Sequence, residues 1–273
     1  MPKILTDRSP RALVDAIEAA VVDYWRACCS YVPGAKFHAS EEISWYRTGI
    51  AVAPWLNGVL RAQLAPDDAA SKVDETLAMF AERHLPILWS VSPSSSPPDV
   101  PALLQARGLE QVDPLVGMAI DLPAIADDAP PHAGFSIERV RDLAGLQRWA
   151  VAYIGGFGMA EAAGCAMFDI YTAAGFADDV PFRHYVGMLN GAPVASSTLF
   201  LGNGVAGVWH VSTAQAARRL GIGAAMTLAP LRDARALGYQ VGTLYASAMG
   251  AGVYRRLGFE EYTSMVQYQA SEP

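Results

Sequence analysis

Cysteine is scarce: Cys28, Cys29 and Cys165 are the only three in 273 residues. Two are adjacent on a helix-like stretch and the third stands alone, so there is neither a disulfide framework nor a zinc-ligand spacing. Free thiols, buried or partly buried, are expected, and no metal site. Long apolar runs are missing too. None approaches the ~20 residues of a bilayer-spanning helix, and the start, Met1-Pro2-Lys3-Ile4-Leu5-Thr6-Asp7, lacks a signal-peptide apolar region. A cytoplasmic chain with no membrane partner is the expectation. Nor is there a basic excess: 20 Lys and Arg face 27 Asp and Glu, a net charge of −7 that argues against holding nucleic acid by phosphate neutralisation. It suits a cationic partner, though only weakly.

What remains is globular composition, 52% hydrophobic and 17% charged. The length accommodates two domains at roughly 100–200 residues each. Ser9 and Pro10 start a helix whose apolar residues, from Leu13 to Trp25, repeat at helical spacing. Strands are expected over Trp45–Ala53 and Asn57–Leu64, a helix from Asp67-Asp68 to about Arg83, and a strand over Ile87–Val91. A Ser/Pro-rich loop, Ser92–Pro98, leads to a short helix capped by Gly108 and a strand reaching Asp121. Pro123–Gly134, with three prolines and Asp127-Asp128, places a domain boundary at 128/129, giving domains 1–128 and 129–273.

Beyond the boundary the order begins again. A strand over Phe135–Val140 precedes helices over Leu143–Tyr153 and Ala160–Ala174. Strands follow over His184–Leu189, Pro193–Leu201 and Val205–Thr213, joined by Asn190-Gly191 and Gly202-Asn203-Gly204 turns. A helix from Gly223, a strand over Val241–Ala246, a helix from Gly250 to Gly258 and a strand over Tyr262–Tyr268 complete the chain. Pro230 removes a helix donor and predicts a kink or break. Leu103–Leu109 echoes Val253–Phe259, each a helix end, a glycine and an apolar strand opener, which hints at duplication.

The informative segment is Val208–Ala225. A strand ending Val211-Ser212-Thr213 leads into a helix start containing Gly221 and Gly223. Backbone N–H groups at such a start lack intrahelical partners, and the helix dipole adds partial positive charge. The glycines let a phosphate approach the backbone, and Arg218 and Arg219 bring cations beside it. This chemistry calls for a diphosphate. A dinucleotide fold would need a third glycine and a P-loop would need Gly-Lys-Ser/Thr; both are absent. A plain helix that merely starts at glycines, with two solvated arginines, is the alternative.

Arg-x-x-Gly-x-Gly, Arg218 to Gly223, resembles the pyrophosphate loop of the GNAT superfamily of N-acetyltransferases. Leu244-Tyr245-Ala246-Ser247 followed by Tyr254-Arg255-Arg256-Leu257-Gly258-Phe259 resembles that family's next motif, in the family's order and at a typical distance. The resemblance covers about Phe135–Tyr268. It implies an α/β (α+β) fold of two GNAT-like domains, each a mixed, mostly antiparallel twisted sheet flanked by helices, with a degenerate N-terminal copy. It also implies acetyl-CoA as cosubstrate, a small-molecule amine as acceptor, and compatibility with a homodimer. Arg218, Arg219, Gly221, Ile222, Gly223 and Ala224 would hold the pyrophosphate. Val211, Ser212, Thr213 and Ser247 would hold pantetheine in a slot where two strands splay, with the N–H near Val211 facing the thioester oxygen. Tyr254 would touch the sulfur and protonate the leaving thiolate. Ser247 departs from the family's usual Asn. His184, His210, Glu161 and Asp169 are candidates for the base, none assigned. In the N-terminal half Asp67-Asp68 replaces the phosphate loop and Leu104 stands in Tyr254's place. Trp45, Trp55 and Trp89 are candidates to wall the acceptor cleft or, more simply, core. A CoA-binding sensor without turnover is the rival reading.

Overall fold

In a computed structural model, residues 4–126 and 132–270 are described. Met1–Lys3, Asp127-Asp128 and the expected boundary at 128/129 lie outside the described residues. Ser9 opens the first helix as expected: its carbonyl accepts from the Leu13 amide at 3.0 Å and its hydroxyl from the Ala12 amide at 3.4 Å. That helix is α1 (Pro10–Ser30). It is followed by β1 (Lys36–Ala39), β2 (Ile43–Arg47), β3 (Asn57–Ala62), α2 (Ala69–Ala81), β4 (Leu88–Val91), α3 (Val100–Gln105) and β5 (Leu109–Gln111). Next come β6 (Leu115–Asp121), β7 (Phe135–Arg139), α4 (Leu143–Phe157), α5 (Glu161–Ala174), β8 (Phe182–Leu189), β9 (Ala192–Gly202) and β10 (Val205–Thr213). Helix α6 (Ile222–Ala236), β11 (Val241–Ala246), α7 (Ala248–Arg256) and β12 (Glu260–Ala270) end the chain.

Two compact units result, one of residues 21–116 with 263–273, the other of residues 1–20 with 117–262. Each draws on both ends of the chain, a feature invisible to a single boundary. In the first, the strands run β1-β2-β3-β4-β12, with β5 also on β12. Its one parallel pair, β3 with β4, is joined through α2, and the remaining pairs are antiparallel. The core gathers Val59, Val73, Phe80, Trp89, Leu104 and Tyr268. Trp89 and Leu104 are fully buried there and Trp45 packs against them, so two of the three tryptophans are core.

The second unit's strands run β6-β11-β10-β9-β8-β7. Again one parallel pair, β10 with β11, is joined through a helix, α6, and β7 to β10 form an antiparallel meander. Asn190-Gly191 and Asn203-Gly204 turn its hairpins with φ of 49°, 81°, 47° and 73°, the left-handed pairs that match strand twist. Leu13, Ala16, Ile17 and Ala20 of α1 pack on Ala119, Val205 and Val241. The order strand–helix–parallel strand–short helix–strand recurs along the chain, from β3 to β5 and from β10 to β12, and gives structural substance to the duplication hinted at by Leu103–Leu109.

Several elements differ from expectation. The Trp45–Ala53 strand stops at Arg47 because the Asn57 side chain takes over the backbone beyond: its Oδ1 accepts from Thr48 and Gly49, at 3.1 and 3.2 Å, and its Nδ2 donates to Ile50 O at 2.8 Å. The strand expected to reach Asp121 is two, β5 and β6, parted at Pro114, which has no N–H for a ladder. Strand β1 carried no sequence signal. Helix α6 continues through Pro230 without a break, the ring being buried in the core. Cys28 and Cys29 are buried, but Cys165 is exposed, on the outer face of α5.

Asp142 caps α4 by accepting from the Gly145 amide at 2.7 Å. Asp142→Ala is expected to lower unfolding free energy by about 1 kcal/mol, and Asp142→Asn by much less, read as shifts in the urea midpoint.

Candidate functional site

Parallel pairing of β10 with β11 is confined to Ala206–Gly242 and Gly207–Thr243, although β10 continues to Thr213 and β11 to Ala246. Past Gly207 the two strands part, as the splayed-strand expectation requires. On its other side β10 keeps its ladder with β9, except at a bulge. The register jumps from Trp209–Thr198 to Ser212–Ser196, leaving His210 and Val211 together opposite Ser197. His210 takes φ of 54°, a left-handed conformation that a non-glycine residue holds only under outside constraint.

The constraint is visible. The Ser196 hydroxyl donates to the His210 carbonyl at 2.8 Å, and the Ser196 and Ser212 hydroxyls lie 2.8 Å apart. Ser212 Oγ in turn reaches the Ala152 carbonyl of α4 at 3.1 Å. Helix α4 can come this close because Gly156 has no side chain: a Cβ there would sit 2.3 Å from Ser212 Oγ and 3.1 Å from the Thr213 amide nitrogen. Trp149 Nε1 adds a bond to Ser197 O at 3.1 Å. The side chain of Ser212 therefore serves the bulge and α4, where the family resemblance gave it to pantetheine.

The turn that follows uses positive φ at Arg219 (69°) and Gly221 (76°), and α6 begins at once. Its first helical bond is Ala225 N to Gly221 O at 3.2 Å, so the amides of Ile222, Gly223 and Ala224 precede any intrahelical acceptor. A Cβ on Gly223 would lie 3.7 Å from Thr213 Oγ1, which sets the helix start beside the end of β10. The two arginines divide their work. Arg218 donates to Thr213 O at 3.1 Å and to Gly156 O at 3.2 Å, closing the loop against an orphan carbonyl at the C-terminus of α4. Arg219 is exposed.

Ser247 caps α7, its hydroxyl accepting from the Gly250 amide at 3.3 Å. Tyr254, about two helical turns on, is half-buried, its ring edge-on to Phe259 at 5.8 Å. Burial pushes its phenol up to about 12, so it remains a proton carrier at neutral pH. Helix α7 packs on β11 and α6, and α6 on β10, so the elements bearing the sequence-predicted residues are mutual neighbours. Glu161 and Asp169 lie exposed on α5. Among the described residues no His, Cys, Asp and Glu cluster could hold a metal, and no helix is long and apolar enough to cross a membrane. A cavity of about 370 Å³ borders Val241, Leu257 and Glu260, at the opposite end of β11 from Ala246.

His184 and His210 belong to an aromatic cluster with Trp149, Tyr153 and Tyr171. His184 Nδ1 lies 3.0 Å from Thr198 Oγ1, while its buried Nε2 has no partner. Burial, reinforced by neighbouring His210, lowers the pKa of His184 to about 3. His210 is likewise lowered to about 3 by burial, but its surface area leaves it half-buried, so His184, 2% exposed, is the firmer case. Sequence reading named both histidines but missed Ser196, Gly156 and the aromatic ring around them. The Gly155-Gly156 pair inside a helix was the available signal.

The first unit repeats the parting of strands and then fills it. Parallel pairing of β3 with β4 is again limited to two pairs, Gly58–Leu88 and Val59–Trp89. Beyond them, the Ser/Pro loop bonds to the end of β3: Leu64 N to Ser96 O at 2.8 Å, Ser96 N to Ala62 O at 3.0 Å, and Gln63 Nε2 to Ser94 O at 3.2 Å. The edge that stays open in β10 is here occupied by the chain itself.

No protein-family model and no curated protein sequence matches the chain. Solved structures do. A GCN5-related N-acetyltransferase from Kribbella flavida aligns with a TM-score of 0.72 at 16% identity, covering 94% of this chain and 96% of that one. Another from Sphaerobacter thermophilus gives 0.62 at 13%, covering 98% and 94%. A tandem GNAT protein from the clavulanic acid biosynthesis pathway gives 0.56 at 13%, covering 100% and 98%. The fold is that of the GCN5-related N-acetyltransferases, in tandem.

Two outcomes follow from the packing. Gly156→Ala forces its methyl onto Ser212, and a loss of about 1–3 kcal/mol is expected in urea unfolding. His184 stays neutral when folded but titrates near 6.5 when unfolded, so the unfolded chain takes up the proton first. Stability is therefore expected to fall as pH drops from about 6.5 towards 3, and His184→Phe to flatten that slope between midpoints taken near pH 7 and about pH 4.5.

Proposed function

We propose that the unit of residues 1–20 and 117–262 transfers the acetyl group of acetyl-CoA to the amine of a small molecule. The observation that carries this reading is the parting of β10 from β11 directly before a glycine-opened helix start. An edge strand with unused backbone groups accepts an extended ligand as it would a strand. Amides at a helix N-terminus accept a phosphate.

In this reading Ile222, Gly223 and Ala224 amides and the Arg219 guanidinium hold the diphosphate, while Arg218 keeps the loop in shape. Backbone groups of Val211 and Thr213 hold the pantetheine arm, with Ser247 at its far wall. The Val211 N–H stabilises the oxyanion that forms when the amine attacks the thioester carbonyl. The C–S bond then breaks, the electron pair leaves with sulfur, and Tyr254 O–H supplies the proton, while the attacking nitrogen releases one proton to solvent as the amide forms and solvent returns a proton to the phenolate. Burial pushes the phenol up to about 12, which keeps it protonated at neutral pH but makes it a weaker acid than a free tyrosine, so its first contribution is a hydrogen bond to the sulfur as the C–S bond breaks. The first unit, with its slot occupied and Asp67 and Asp68 before α2, takes no nucleotide.

Calorimetry is expected to find one CoA bound per chain, weakened on the order of tenfold or more by Arg219→Glu. With acetyl-CoA and an amine panel, free thiol is expected to appear only with an acceptor, and Tyr254→Phe to lower kcat on the order of a hundredfold. Binding without acceptor-dependent thiol release would replace the enzyme by a CoA sensor. No heat with CoA would end both readings.

A further inference from the structure

The peptide unit joining His210 to Val211 has two ends with different partners. Its carbonyl accepts the Ser196 hydroxyl at 2.8 Å, and its N–H is that of Val211. In a trans peptide the C=O and N–H point in opposite directions. A carbonyl aimed at Ser196, on β9, therefore turns the Val211 N–H away from β9, to the side where β10 has lost its pairing with β11. We propose that Ser196, assisted by Ser212, is a positioning residue of the acyl-transfer site: its hydroxyl fixes and polarises the His210–Val211 peptide so that Val211 N–H becomes a stronger, pre-aimed donor to the oxyanion. The inference rests on the acyltransfer reading above and specifies how its oxyanion site is built.

Three observations support it. A hydrogen bond accepted at an amide oxygen draws electron density from nitrogen and strengthens the same amide as a donor, by some 10–30% in condensed-phase estimates. Proton counting gives the chain a direction. Ser196 and Ser212 have two hydroxyl protons for three contacts: His210 O, the Oγ–Oγ contact and Ala152 O. The two shortest, both 2.8 Å, are satisfied together only if Ser212 donates to Ser196 and Ser196 to His210 O. Ala152 O lies within α4 and already has a helical donor available. Finally, both serines are enclosed, Ser196 at 0% and Ser212 at 5% exposure, so water cannot replace the chain. The left-handed φ of His210 is what lets its carbonyl leave the β9 ladder to meet a side chain.

The test is Ser196→Ala in the full chain, with Ser196→Cys as an isosteric, weaker donor should the alanine variant fold poorly, and Ser196→Thr to restore the hydroxyl. CoA affinity by calorimetry and KM for acetyl-CoA are expected to match the parent, because the phosphate site is untouched. At the same time kcat is expected to fall about five- to tenfold in Ser196→Ala, less in Ser196→Cys, and to recover in Ser196→Thr. The Val211 amide ¹⁵N resonance of the free protein is expected to move upfield in the alanine and cysteine variants and to return with threonine. Unchanged kcat with CoA binding intact would overturn the proposal and leave the acyltransfer reading standing. Parallel loss of kcat, CoA affinity and thermal midpoint would overturn it in favour of a purely structural serine. Failure of the parent to bind CoA would strike the acyltransfer reading instead.

Discussion

Everything at the candidate site depends on one backbone constraint: past Gly207, the side of β10 that faced β11 has no strand to pair with among the described residues. Buried backbone donors and acceptors must find partners. A strand that parts from its neighbour therefore creates a demand that chain, water or ligand has to meet. Here the parting is held open by packing rather than by loop slack. Gly156 brings α4 within contact of Ser212 and Thr213, and Arg218 joins Thr213 O to Gly156 O. These two ties between one helix and one strand end hold the β10 side of the slot in place.

The two units answer the same demand differently. In the first, Ser96 bonds to Ala62 and Leu64 and completes the edge of β3 with the protein's own backbone. In the second, β10 ends at Thr213 and the chain turns into α6, with no segment of its own laid along that edge in the same way. Cis-occupation is the entropically cheaper solution, because the loop is already tethered, whereas an external ligand gives up its freedom on binding. In the proposed function, a duplicated fold that fills one copy from within keeps its scaffold and leaves nucleotide chemistry to the other.

Much of this was legible in the sequence, and unevenly so. Turn chemistry located the meander: Asn190-Gly191 and Asn203-Gly204 sit where the hairpins turn, and Val241–Ala246 is β11 to the residue. The helix start after Gly221 was legible because glycines there leave a local signature that tertiary contacts do not erase. What failed depended on partners far away in the chain. Nothing near Trp45 announces that Asn57 will claim the backbone of Thr48 to Ile50. Nothing near Pro123–Gly134 announces that residues 1–20 and 263–273 will each join the unit formed mainly by the other half. Arg218 shows the same dependence on distant partners: its motif position offered it to phosphate, and only the approach of α4 shows that two of its five donors reach carbonyls.

Electrostatics then separates two helix starts that share a topology. Both α2 and α6 carry the partial positive charge of a helix N-terminus. At α2 that charge is met by Asp67 and Asp68, which neutralise the dipole and would repel a phosphate. At α6 the residues are Arg219, a left-handed Gly221 and Gly223, with no carboxylate in the first turn, so the dipole is left for an anion from outside. In a chain of net charge −7 such a site is a local exception that attracts an anion only at short range, since charges beyond a Debye length of about 8–10 Å are screened. In the proposed function, selectivity for a nucleotide diphosphate over free phosphate would come from length: the anion would be gripped at α6 while the rest of the molecule lay along the parted strands. Under that proposal neither the helix start nor the slot alone would define the site, and Gly223 and Thr213, which bring the two side by side, would matter as much as the groups proposed to bind.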